Sequence, residues 1–219
     1  MNKETVRGGL TALAGLLPLK RRVLLESNPD LACNAWPVFQ ELLADPAFAD
    51  VELVWLVGDS SLWREKFPQP NVRFVDFDPN DRGSKLRAVR LALTSRCVVF
   101  CNKVLWPPRR GQLSLFLGHG TPIKQCRGIY DPGRFCNRWV YPAEAVKSTL
   151  EAELGLDPAR GLPLGYPRND ALSRPTGALD RVIDRQGRRC IFWLPTFRQH
   201  AAGGNGSYAL SGCGLPLLE

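Results

Sequence analysis

The sequence has no Cys-x-x-Cys pair, no internal repeat, no low-complexity tract and no apolar stretch as long as a membrane span. The first absence, with an odd count of seven cysteines, argues against a structural zinc site. It also argues against a secreted disulfide framework at this length, and reduced thiols fit the cytoplasm. Cys97 and Cys101, inside Arg96-Cys97-Val98-Val99-Phe100-Cys101, read as small buried apolar residues. A transmembrane helix needs about 20 apolar residues, and none is present. Leu10 to Leu19 is apolar and has the length of a signal core. Lys20-Arg21-Arg22 follows it where a small-residue cleavage site would stand, so residues 1–20 read as a short helix with basic flanks. Such a helix either rests on an anionic membrane or packs on its own domain. There is no RNP-like aromatic stripe, helix-turn-helix spacing or carboxylate cluster of the metal-binding kind, so nucleic acid is not expected as a partner and no metal need be invoked.

What is present is a globular chain of 219 residues, 44% hydrophobic, with a formal net charge of +8. That composition supports a buried core. The charge points to an anionic partner, or serves only solubility. Short β-branched runs alternate with helical patterns. The strands are expected at Arg22 to Glu26, Val51 to Val57, Val72 to Phe77, Arg96 to Cys101 and Leu113 to Leu117. Helices are expected at Ala35 to Leu43, Ser60 to Lys66 and Lys85 to Leu93. Several strands are apolar throughout, as in sheets covered on both faces. The order predicts a doubly wound α/β fold, whose ligands bind beyond the carboxyl ends of the strands. A helix follows from Ala143 to Leu154, closed by Gly155, then a Pro/Gly crossing from Leu162 to Pro167. Asn169 to Arg185 reads as an interrupted helical region, and Cys190 to Leu194 as a further buried strand.

Three clusters sit where ligands should bind. Gly118-His119-Gly120-Thr121-Pro122-Ile123-Lys124 directly follows Leu113 to Leu117. Thr121 suits an N-cap and Pro122 a first helical residue, so His119 is expected in a tight turn beside a helix N-terminus. Free N–H groups there favour an anion. Lys124 opposes the helix dipole unless it faces a phosphate. Histidine is suited to accept a proton near neutral pH. A histidine held structurally between glycines is the competing reading. Gly165-Tyr166-Pro167-Arg168-Asn169-Asp170 and Pro195-Thr196-Phe197-Arg198 each place an arginine and small hydrogen-bonding residues at a strand end. Taken singly, each could be a helix cap with a solvated arginine.

In this order the clusters resemble the CDP-glycerol glycerophosphotransferase family of teichoic-acid and related polymer synthesis. That family carries His-Gly-Thr-Pro-x-Lys, then Gly-x-Pro-Arg-Asn-Asp, then a strand ending in Pro-Thr-aromatic-Arg. Glu26-Ser27-Asn28-Pro29 also looks like its first strand and loop, so the resemblance runs from about Arg22 to Arg198. It implies a GT-B-like fold: one Rossmann-like acceptor-side domain over residues 21–167, then a linker and the first elements of a donor domain over 168–219. It implies a CDP-activated polyol as donor and a lipid-linked polyol-phosphate acceptor, with no cofactor. By the family's logic His119 is the general base. Gly120, Thr121, Lys124, Arg168, Asn169, Asp170, Thr196 and Arg198 hold phosphate or substrate. The implied location is the cytoplasm, peripheral on the inner face of the membrane. The family's later histidine motif is not matched by His200, the only other histidine. The donor half is therefore expected to be incomplete, and a non-catalytic fragment that binds an anionic polymer or membrane is the alternative.

Overall fold

A computed structural model describes residues 17–102, 106–122, 126–128, 131–173 and positions 183 and 189. The chain divides into two compact units, 1–175 and 176–219, and the elements below belong to the first. Seven strands form one sheet: β1 (Lys20–Glu26), β2 (Glu52–Val57), β3 (Val72–Asp76), β4 (Ser95–Phe100), β5 (Leu113–Phe116), β6 (Arg138–Val140) and β7 (Gly161–Leu162). Their order is β3-β2-β1-β4-β5-β6-β7, and every neighbouring pair is parallel. The strand order reverses between β1 and β4. This is a doubly wound α/β sheet of Rossmann type, as the alternation of apolar runs and helices predicts.

The side chains of the central strands alternate between two cores. Val23 and Leu25 of β1, with Trp55 of β2, face α1 (Ala35–Ala44), where Phe39 meets Trp55 edge-on at 5.2 Å between ring centres. Leu24, Val54 and Leu56 face the other side, against Ala88, Leu91 and Ala92 of α3 (Arg82–Thr94). Strands buried on both faces read as continuous apolar runs, which is why β1, β2 and β4 were legible. A further core joins Phe100, Phe116 and Trp139 to Leu150 and Leu154 of α4 (Glu144–Leu154). Gly155 closes α4 in the left-handed conformation, φ +60°.

Four expectations need correction. The helix expected at Ser60 to Lys66 is a single turn, α2 (Ser61–Arg64). Lys20, expected to end a helix, is the first residue of β1, and residues 17–19 are not helical; the rest of that segment lies outside the described residues. The crossing at Leu162 begins with β7, and β6 was not expected at all. Three and two residues are too short to show a period. The start of the expected helix at Asn169 is a 3₁₀ turn, Pro167–Leu172. The strand at Cys190 to Leu194 lies outside the described residues.

Candidate functional site

The carboxyl ends of β1, β4 and β5, at the point where the strand order reverses, bring together three segments far apart in sequence. From β1, Glu26 is 3% exposed, and its Oε2 accepts the backbone N–H groups of Cys101 (3.3 Å) and Asn102 (3.0 Å) just past β4. A buried carboxylate thus ties the first loop to the fourth. Beyond it, Ser27 donates to the Pro29 carbonyl (2.7 Å) and accepts from the Ala32 N–H (3.2 Å), which folds the loop on itself. Leu31 (φ +48°) and Cys33 (φ +58°) both take left-handed conformations there, a strained choice for side chains of their size.

Past β5 the chain turns at Gly118, whose φ of +63° explains the glycine. Its carbonyl and that of Leu117 receive the side-chain amide of Asn34 at 2.9 and 3.1 Å. Asn34 stands at the N-cap of α1 with its side chain making no capping bond. The amide is instead committed across the sheet, and its Oδ1 faces the N–H of Arg168 at 3.4 Å. One fully buried asparagine therefore joins the β1 loop, the His119 turn and the segment after β7.

His119 is exposed, with its Nδ1 3.2 Å from Asn102 Nδ2 and 3.4 Å from the Cys101 carbonyl. Asn102 Oδ1 accepts the Asn28 N–H (3.1 Å), which directs the amide NH₂ toward the imidazole. The two neighbours of Nδ1 select opposite tautomers. Accepting from Asn102 leaves the proton on Nε2, whereas donating to the Cys101 carbonyl leaves Nε2 with a free lone pair. The second state is the one that can take a proton from a substrate at Nε2.

Arg168 reaches the same turn. A β-carbon added at Gly120 would lie 3.9 Å from its Nη2. Its guanidinium also stands 5.8 Å from the Tyr166 ring centre, and its Nη1 is 3.7 Å from Cys33 Sγ. Tyr166 is buried, which raises its phenol above the usual value. A hydrogen bond from Thr121 works against that rise and links Thr121 to the same cluster. Asn169 and Asp170 are exposed on the 3₁₀ turn, and among the described residues no hydrogen bond joins their side chains to the His119 turn. Thr121 and Pro122 are not helical, nor are residues 126–128, so the helix expected to start at Thr121 is not seen among the described residues. Lys124, Thr196, Arg198 and His200 lie outside them.

Cys33, Asn34 and Asn102 were not singled out from sequence. Asn102 could have been, since it directly follows a strand in a doubly wound sheet. The others depend on a left-handed loop that no local pattern announces. Cys33 is half-buried, and its thiol is held well below the usual range. The largest cause is a hydrogen bond from Cys101; the Asn34 N–H and the Arg168 charge add to it, against burial. The Gly118 carbonyl, 3.7 Å from Sγ, favours the protonated form but is already engaged by Asn34. Cys101 is pushed far up by the same contact and by burial.

Apart from this site, a concavity of about 920 Å³ runs along the β3 edge. Lys20, Arg22, Arg64, Arg73, Arg87 and Arg90 line it together with Phe67, Val72 and Phe74, and Asp76 is its one carboxylate. Among the described residues, no group of three or more His, Cys, Asp or Glu side chains is placed to hold a metal ion. No helix among them is long and apolar enough to cross a membrane.

A family model described as CDP-glycerol:poly(glycerophosphate) glycerophosphotransferase matches residues 14–211. No curated protein matches the chain. The fold is similar to that of a variant of the wall teichoic acid polymerase TagF, with TM-score 0.58 and 16% identity over 88% of this chain and 51% of that one. A second TagF variant, soaked with CDPG, gives TM-score 0.58 and 16% identity over 82% and 50%. TagF itself gives 0.56 and 15% over 83% and 46%. The chain thus spans about half the length of these structures.

Proposed function

We propose, for a chain that belongs to the CDP-glycerol:poly(glycerophosphate) glycerophosphotransferase family, that it forms the acceptor side of an enzyme transferring glycerol phosphate, or a similar polyol phosphate. The donor is a CDP-activated polyol, and the acceptor is a hydroxyl of a lipid-linked polymer. That hydroxyl oxygen attacks the phosphorus bearing the polyol. The bond from that phosphorus to the CMP moiety breaks, and CMP leaves with its electron pair. His119 Nε2 takes the hydroxyl proton, and the Cys101 carbonyl steadies the resulting imidazolium through Nδ1–H. Such transfer depends on positioning and on neutralising charge more than on covalent help. Arg168 is the charge supplier that lies beside the His119 turn. Lys124, Thr196 and Arg198 take the same role on the strength of their motifs, as do Gly120, Thr121, Asn169 and Asp170.

The observation that carries this reading is the meeting of His119 and Arg168, from two separate family motifs, at the switch point of the sheet. The enzyme works in the cytoplasm, peripheral on the inner face of the membrane, where its acceptor lies. His119→Ala, in the active enzyme, should cut CMP release about 10²–10⁴-fold and leave donor affinity nearly unchanged. Wild-type turnover in a folded His119→Ala protein would return the histidine to a purely structural role. A chain that binds anionic polymer but never releases CMP, alone or with the remaining half of the fold, would favour the non-catalytic alternative.

A further inference from the structure

One residue of β1 holds the Cys101–Asn102 pair from behind. Glu26 Oε2 accepts both of its N–H groups, at 3.3 and 3.0 Å, and the Glu26 carbonyl accepts the Cys101 N–H at 3.1 Å. Both groups that meet His119 Nδ1 belong to this clamped pair: the Asn102 side-chain amide at 3.2 Å and the Cys101 carbonyl at 3.4 Å. The first is a donor and the second an acceptor, so they compete for one nitrogen. Asn102 cannot change roles by turning its amide over. Its Oδ1 accepts the Asn28 N–H at 3.1 Å, and a turned amide would set its NH₂ against that N–H. The donor therefore faces Nδ1, and it is also the nearer of the two groups.

We infer that Asn102 is a positioning residue that sets where His119 carries its proton: by donating to Nδ1 it holds the resting ring in the Nε2–H form. In that form Nε2 has no lone pair to offer a hydroxyl. The ring becomes a base only when Nδ1 exchanges the Asn102 amide for the Cys101 carbonyl. In that exchange the Nε2–H bond breaks and an Nδ1–H bond forms, with solvent water carrying the proton and the net charge unchanged. A hydroxyl that donates to Nε2 binds the Nδ1–H form alone, so its arrival draws the ring toward that form. Asn102 thereby keeps the base idle until such a hydroxyl is present. That last consequence rests on the role proposed for His119; the resting position of the proton does not.

The experiment correlates the imidazole nitrogens with the carbon-bound ring protons by NMR. It uses the whole ¹⁵N-labelled chain, without substrate, at a pH where the ring is neutral. The chain has two histidines, and a His200→Gln variant assigns their signals. Wild type should hold His119 mainly as Nε2–H. Asn102→Ala removes the donor and keeps the Cys101 carbonyl, so the tautomer ratio should move toward Nδ1–H by about 2–10-fold, the net worth of one hydrogen bond. Asn102→Asp still accepts the Asn28 N–H and turns an acceptor toward Nδ1, so it should move the ratio further the same way. A ring indifferent to Asn102 would give one ratio in all three proteins. That result, or a wild-type ring mainly in the Nδ1–H form, would overturn the proposal. If Asn102→Ala fails to fold, Asn102→Asp against wild type decides by the same criterion. Full turnover in His119→Ala would remove the catalytic role and leave the tautomer result standing.

Discussion

Asn34 shows how much of the site rests on one buried amide. It has no exposed surface, donates to the Leu117 and Gly118 carbonyls and faces the Arg168 N–H. Removing a partner from buried polar groups costs about 1–3 kcal/mol. Asn34→Ala should therefore lower stability by about that amount. Asn34→Asp should lower it at least as much, because a carboxylate would face two carbonyl oxygens. Urea unfolding of both variants checks this, and an aspartate variant as stable as wild type would contradict the assignment. A second expectation concerns thiols away from the site. Burial pushes Cys97 up to about 12, and burial, partly offset by Arg160, pushes Cys136 up to about 12. In the unfolded chain these thiols ionise near their usual value of 9.0. Between those values the folded state holds more protons than the unfolded one, so stability falls as pH rises from about 9 toward 12. Urea midpoints should drop across that window, and drop less steeply in a Cys97→Ala, Cys136→Ala double variant. The sequence announced His119 and Arg168 through their motifs, because glycine, proline and capping residues leave local marks. It did not announce Cys33, Asn34 or Asn102, whose roles come from a left-handed loop and from contacts between distant segments.

At the scale of elements, the best-read pieces are those with a full period. Strand β2 is apolar over most of its length, β1 carries the apolar run Val23 to Leu25, and α4 ends at a glycine where its pattern stops. Two short strands escaped for physical reasons. The β7 residue Gly161 lies under the Trp139 ring, where an added β-carbon would sit 2.8 Å from the ring, so its lack of a side chain reflects close packing rather than a turn. Strand β6 offers only Arg138, Trp139 and Val140, too few to separate from a loop. The junction behind α4 is just as tight. A β-carbon added at Gly133, in a 3₁₀ turn, would run into the Gly155 carbonyl oxygen. The obstacle is backbone and cannot rotate away. Gly133→Ala should cost about 1–3 kcal/mol, toward the upper end, through overpacking. An unchanged thermal midpoint for this variant would show that the turn and the helix end do not approach so closely.

At the scale of the whole molecule, positive charge gathers away from the candidate site, along the β3 edge. Lys20, Arg64, Arg87 and Arg90 stand around an apolar floor that includes Phe67 and Phe74. Such a surface suits the peripheral location proposed above, since a basic residue near an anionic bilayer contributes about 1 kcal/mol. Arg87→Ala and Arg90→Ala should each weaken sedimentation with anionic vesicles about fivefold, with neutral vesicles unaffected. Binding should also decline with salt. Equal binding to neutral and anionic vesicles would remove charge as the cause. The order of the strands carries one more consequence, for synthesis. Strand β1 is made before the other six strands yet lies inside the sheet, with β2 on one side and β4 on the other. Its second neighbour, Ser95–Phe100, follows roughly 70 residues later. At about 5–20 residues per second, that edge of β1 stays open for roughly 4–14 seconds of translation. The nascent chain thus holds a hydrophobic strand with one edge unpaired until Ser95–Phe100 has been made.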